Sequence, residues 1–184
     1  MIPDWLFNAI RAKLRNPDYI KQEDITMLTV NMKPTEDEKQ VAAFINISSV
    51  NAYFYIFEKI GNQYVTVFED QLFVEGVQVV GVSPKNQILV VTGGGGGTGF
   101  WETYYYVIRY TPDGYKVVWQ GIASNRANLE LLGYRLQQYG MIGFDTNGKI
   151  LTYAQKTVIP TQRGIFQIYL YNEQKGIYEL SRTL

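Results

Sequence analysis

The chain has 184 residues, 46% of them hydrophobic, with 17 Lys+Arg set against 17 Asp+Glu. That is enough apolar material for the core of one domain, or of a domain with a small appendage, and too much for wholesale disorder. A zero charge balance lacks the basic footprint that nucleic acid demands, and the absence of Cys and His removes thiol nucleophiles, disulfides, Cys/His zinc sites and imidazole bases. The remaining catalytic chemistry belongs to carboxylates, Tyr, Lys, Ser and Thr, so an enzyme here would work through paired Asp/Glu or a carboxylate-bound hard metal. No catalytic residue, cofactor or metal ligand is assigned.

Pro3 and Asp4 suit a first helical turn, and Trp5, Leu6, Ala9, Ile10 and Leu14 recur at helical spacing until Asn16-Pro17, which predicts a helix over 3–15. Lys21 to Leu28 is expected to add a short turn of helix, with Ile20, Ile25 and Leu28 inward and Glu23 and Asp24 outward. Together Ile2, Pro3, Asp4, Leu6, Ala9, Ile10, Arg11, Leu14, Ile20, Glu23, Asp24, Ile25, Leu28 and Thr29 resemble the helical cap that precedes leucine-rich repeats in some bacterial surface proteins. The resemblance covers the first 30 residues and implies an extracytoplasmic origin. No L-x-x-L-x-L-x-x-N run follows it.

Residues 31–40, with Pro34 and the run Glu36, Asp37, Glu38 and Lys39, read as a polar linker or exposed loop. Beyond it 14 of the 15 Tyr and 8 of the 9 Phe, with many β-branched residues, give strand composition. Strands are expected over 41–48, 52–58, 63–69, 72–80, 87–92, 101–110, 115–120, 129–136, 140–144, 149–156, 165–171 and 177–182. No stretch approaches the ~20 apolar residues of a membrane span.

Three hairpins, over 52–68, 104–119 and 165–180, each read as an aromatic strand, a turn with a glycine (Gly61, Gly114, Gly176), a tyrosine and a second strand. Phe57, Tyr110 and Tyr171 are followed by Tyr64, Tyr115 and Tyr178 after six, four and six residues, and spacings that differ by two keep the same facing. Aromatic cross-strand pairs are expected at all three. The tyrosines lie 115−64 = 51 and 178−115 = 63 residues apart, room for about four strands per unit. These hairpins, with Phe144-Asp145-Thr146-Asn147-Gly148-Lys149-Ile150-Leu151, resemble FG-GAP-like blades of secreted β-propeller proteins over residues 41–184. The family's D-x-D-x-D-G calcium run is absent.

Gly94, Gly96 and Gly99 fit G-x-G-x-x-G after an apolar strand, but the fingerprint needs a helix to begin at its end and FWETYYYVIRY is strand sequence. The glycine run is expected to be a flexible strand-to-strand loop. Beside it Phe100, Trp101, Glu102 and Tyr104 are the candidate ligand-binding residues, Trp101 and a tyrosine forming a platform for a sugar ring or a peptide. Glu102, Asp113 and Asp145 are the carboxylates nearest aromatic sequence; Asp113-Gly114 and Asp145-Thr146-Asn147-Gly148 read as turns. Arg126, Arg135 and Arg163 read as solvated, and Asn46-Ile47-Ser48 is an acceptor tripeptide inside an apparent strand.

The expectation is a mainly β chain: a helical segment over 1–30, then a domain over 41–184 of antiparallel hairpin repeats, propeller-like or a curved sheet. Its expected function is a non-catalytic binding or interaction module of an extracytoplasmic bacterial protein, secreted or lipoprotein-anchored with its leader absent from this sequence; a cytoplasmic location stays open. The expected partners are carbohydrate or protein at the cell surface, or further copies of the chain in a homo-oligomer. The alternative is a carboxylate-based glycoside hydrolase or carbohydrate-modifying enzyme.

Overall fold

The computed structural model describes residues 2–34, 39–81, 85–129 and 133–184. Among the described residues a helix, α1 (Asp4–Arg11), and two 3-10 turns (Pro17–Tyr19, Gln22–Asp24) precede twelve strands. Strands β1 (Ile25–Val30), β2 (Gln40–Ser48), β3 (Asn51–Ile60) and β4 (Gln63–Asp70) form one four-stranded sheet in that order. Strands β5 (Phe73–Val80), β6 (Ile88–Gly97), β7 (Phe100–Thr111), β8 (Gly114–Leu129), β9 (Tyr134–Phe144), β10 (Ile150–Ile159), β11 (Arg163–Asn172) and β12 (Ile177–Thr183) form an eight-stranded sheet, also in chain order. Every neighbouring pair is antiparallel. The chain is mainly β with a short N-terminal helix, as the composition predicts, and β5 and β12 stay at opposite ends of an unclosed sheet.

Alternation along the strands stacks these elements in layers. Val41, Ala43, Ile45, Tyr55 and Phe57 pack under α1, whose Leu6 and Ile10 are fully buried at i, i+4 spacing. On the other face of the same strands Ala42, Phe54 and Ile56 meet Val74, Leu89, Val91 and Ile108 of β5–β7. The reverse face of β6 and β7, with Ile88, Val90 and Val107, then meets Leu151, Tyr153 and Tyr178 of β10 and β12. Strands covered on both faces need apolar residues at consecutive positions, which accounts for AYFYIF in β3 and ILVV in β6. Beyond this stack, the outer face of β9–β11 carries Met141, 71% exposed, opposite Ala154, which faces Phe166 in turn.

Several expectations need correction. The helix stops at Arg11 rather than 15, because the bonds from Lys13 to Ile10 and from Leu14 to Arg11 tighten its last turn toward Pro17. Of the turn expected over 21–28, only Gln22–Asp24 is helical; Ile25 onward is β1, paired with β2, and Leu28 faces inward from that strand, against the inter-sheet core. Of the expected strand 129–136, Leu129 ends β8 and residues 134–136 begin β9, which also holds the expected strand 140–144. The 115–120 strand runs on to Leu129. Residues 35–38 of the expected linker and 130–132 of an expected strand lie outside the described residues.

Two of the three hairpins form the same cross-strand pair. Tyr110 faces Tyr115 and Tyr171 faces Tyr178, each with ring centroids 5.1 Å apart. The first hairpin departs: its strands close with Ile60 opposite Gln63 across a two-residue turn, so Tyr64 faces Lys59 and Phe57 faces Thr66, and only beyond that pair does a bulge leave Val67 extra. Trp5 of α1 fills the offset, parallel to Tyr64 at 3.8 Å and edge-on to Phe57 at 5.7 Å.

Candidate functional site

The glycine run is a strand, which overturns the expected loop. Gly93–Gly97 complete β6 and pair in unbroken register with Tyr104, Thr103, Glu102, Trp101 and Phe100. Glycine is disfavoured in strands for its entropy, and here its missing side chain is what permits the packing. A Cβ on Gly94 would strike the Glu102 carbonyl, and one on Gly95 would come within 3.3 Å of the Ser49 carbonyl on the β2–β3 turn. At Gly96 an added Cβ would meet the Phe100 carbonyl at 2.3 Å and the Trp101 indole Cε3 at 2.9 Å.

Trp101 therefore leans across a glycine floor toward β5. Its Nε1–H donates to Glu75 Oε1 at 2.8 Å, and its ring stands edge-on to Phe73 at 5.8 Å. Glu75 reaches this position because the β5–β6 register skips it between Val74 and Gly76. On the other side the register runs Gly96, Trp101, Arg126, Gln137, Ile159 across five consecutive strands, so these residues share one face. Tyr139, two residues beyond Gln137, carries the Arg126 guanidinium over its ring at 5.6 Å. A groove of about 550 Å³ opens at this end of the sheet, lined by Phe100, Trp101, Arg126, Arg135, Gln137 and Ile159 among others.

The expected quartet is divided by the strand's alternation. Trp101 is half-buried against the glycines and Phe100, 48% exposed, borders the groove. Glu102 and Tyr104 occupy alternate positions on the face turned toward the four-stranded sheet. Glu102 accepts from Asn125 Nδ2 at 2.6 Å. Burial, then hydrogen bonding to Glu102, pushes the Tyr104 hydroxyl up to about 12. Burial followed by Asp70 and Glu102 raises Tyr106 in the same direction.

Comparison with family models, with curated proteins and with solved structures finds no match. The reading of the site rests on its own geometry.

That geometry disperses the candidate carboxylates. Glu102 sits nine strand residues from Thr111, about 30 Å at ~3.3 Å per residue, whereas glycosidase pairs lie within ~9.5 Å. Asp113 is at the far tip of that hairpin, paired with Lys116 Nζ at 3.0 Å. Asp145 Oδ1 accepts from the Lys149 and Ile150 amides at 2.7 and 2.8 Å, holding the turn that places Gly148 at φ +64°. Both aspartates do the turn chemistry their sequences suggest. Among the described residues no cluster of three or more Asp or Glu is placed to hold a metal, and no helix is long and apolar enough to cross a membrane.

The sequence reads Arg126 and Arg135 as solvated and singles out neither Gln137 nor Glu75; only the pairing register aligns Arg126 and Gln137 with Trp101.

Proposed function

We propose that this chain is a non-catalytic binding module of an extracytoplasmic bacterial protein, with the face formed by Trp101, Arg126 and Gln137 as its binding surface. One observation carries the reading: an indole laid on a glycine strand, anchored by Glu75 and aligned across strands with a guanidinium and an amide. Anchoring at one edge fixes the ring in place, so a ligand stacking on it loses little side-chain entropy. The sheet beneath is rigid, and rigid elements hold recognition groups more closely than loops do. The extracytoplasmic setting rests on the two resemblances at the N-terminus and in the hairpins; the matching 5.1 Å tyrosine pairs support a shared hairpin unit.

Titration of the full chain with a panel of glycans and peptides, followed by intrinsic fluorescence, tests this. At least one ligand class is expected to shift Trp101 emission, and Trp101→Ala is expected to abolish that response while the fold persists. A signal unmoved by the whole panel, with every affinity unchanged in Trp101→Ala, refutes the binding face.

A further inference from the structure

Resting on the binding face proposed above, we infer that its ligand is an acidic glycan, a uronate-type sugar chain whose carboxylate docks on Arg126 while a neighbouring ring stacks on Trp101. Among the described residues the groove's lining contains two arginines, aromatic and aliphatic side chains, Gln137 and no carboxylate. The charge open to a ligand there is that of Arg126, which is exposed and forms no ion pair among the described residues. Glu75, on the side of Trp101 away from Arg126, accepts the indole N–H.

The chemistry of Arg126 decides the ligand's charge. Its guanidinium carbon lies 5.6 Å from the Tyr139 ring centroid, and a guanidinium presents a planar N–H fork that suits a planar two-oxygen acceptor. A carboxylate matches that fork in a bidentate contact. The extent of the row decides between a lone anion and a chain. Trp101 and Gln137 lie two strand spacings apart, roughly 10 Å, the reach of a disaccharide. The indole offers a flat apolar surface for the C–H face of a pyranose, and the Gln137 amide can both donate to and accept from hydroxyls. An acidic peptide would satisfy Arg126 but has no comparable use for a stacking surface followed by an amide.

The probes are oligogalacturonate, the same oligomer methyl-esterified, and oligoglutamate, titrated into the full chain by calorimetry at low and moderate salt. Oligogalacturonate is expected to bind at least about tenfold more tightly than its ester, the scale of one charge-assisted hydrogen-bonded contact. Salt should weaken the acid form and spare the ester. Arg126→Gln should reduce the acid to the ester's affinity, and Arg126→Lys, which keeps charge without the fork, should fall between. Because Arg126 is exposed, unchanged melting of the variants separates lost binding from lost fold.

Equal, Trp101-dependent binding of acid and ester would overturn the carboxylate assignment and leave the binding face standing. Tighter binding of oligoglutamate than of oligogalacturonate would overturn the glycan class. Silence toward all three probes, with another panel member still shifting Trp101, would overturn this inference alone; silence across the entire panel would bring down both.

Discussion

Asn46 joins the two sheets with a single amide. Its Nδ2 donates to the Val74 carbonyl at 2.7 Å and its Oδ1 accepts the Val74 N–H at 3.0 Å, so the side chain replaces one rung of a ladder between β2 and β5. The nitrogen of the acceptor tripeptide is thus already engaged. Asn46→Ala should cost about 1–3 kcal/mol, the penalty for stranding Val74's buried polar groups, and a denaturant midpoint shifted by much less would show that water replaces the amide. Arg109 is a second such residue. Buried, it donates to the Gly148 carbonyl at 2.6 Å and the Tyr178 hydroxyl at 3.0 Å, with its guanidinium 4.0 Å from the Tyr171 ring centre. Burial pushes Tyr178 up to about 12 despite Arg109, and burial likewise lifts Tyr153 to about 12. Unfolded tyrosine loses its proton near pH 10, so between about pH 10 and 12 the folded chain binds more protons than the unfolded one. Stability present below pH 10 should fall across that window. Tyr178→Phe should flatten the fall, as thermal melts at stepped alkaline pH would reveal; an identical slope in the variant would mean that Tyr178 ionises as freely folded as unfolded.

At the level of elements, the glycine strand is where the sequence misled most. Glycine is scarce in strands for good reason, so a run of five reads as a loop until its partners are known. Gly94 and Gly97 should respond differently to a methyl group. At Gly94 the new Cβ meets the backbone carbonyl of Glu102, which cannot yield, whereas at Gly97 it meets the Phe100 Cε1 at 3.4 Å, ordinary contact with a movable side chain. Gly94→Ala is expected to cost about 1–3 kcal/mol by the usual scale of overpacking, and Gly97→Ala much less; comparable melting temperatures for the two would contradict the strand packing. Strand β1 went unread because Ile20, Ile25 and Leu28 carry helix-like spacing, although TMLTV is β-branched enough to pair with β2. Turns were legible, since Gly61, Gly114 and Gly176 all take the positive φ their hairpins use. What sequence could not show was register. Trp101 was identifiable as a candidate from its neighbours, but Arg126 and Gln137 lie 25 and 36 residues further along the chain and meet it only through two pairings.

For the whole molecule, the stack implies shared fate. Phe54 is fully buried between the two sheets, so Phe54→Ala should destabilise the chain by about 3–5 kcal/mol. Trp5 reports on the four-stranded sheet from beneath α1, and Trp119 reports on the far core with Tyr153 and Tyr169. In variants retaining one or the other tryptophan, the two should give coincident unfolding midpoints; separated transitions would mean that the inter-sheet core does not couple them. This rigid stack is also what allows a tryptophan on a glycine floor to serve as a fixed recognition surface. Amide hydrogen exchange over the chain, with and without oligogalacturonate, tests that claim most directly. The prediction is protected amides at Gly93–Gly97 in the free chain, and added protection on binding confined to β7, β8 and β9 around Trp101, Arg126 and Gln137. Glycine amides exchanging as fast as an open loop, or ligand-induced protection that avoids those three strands, would contradict it.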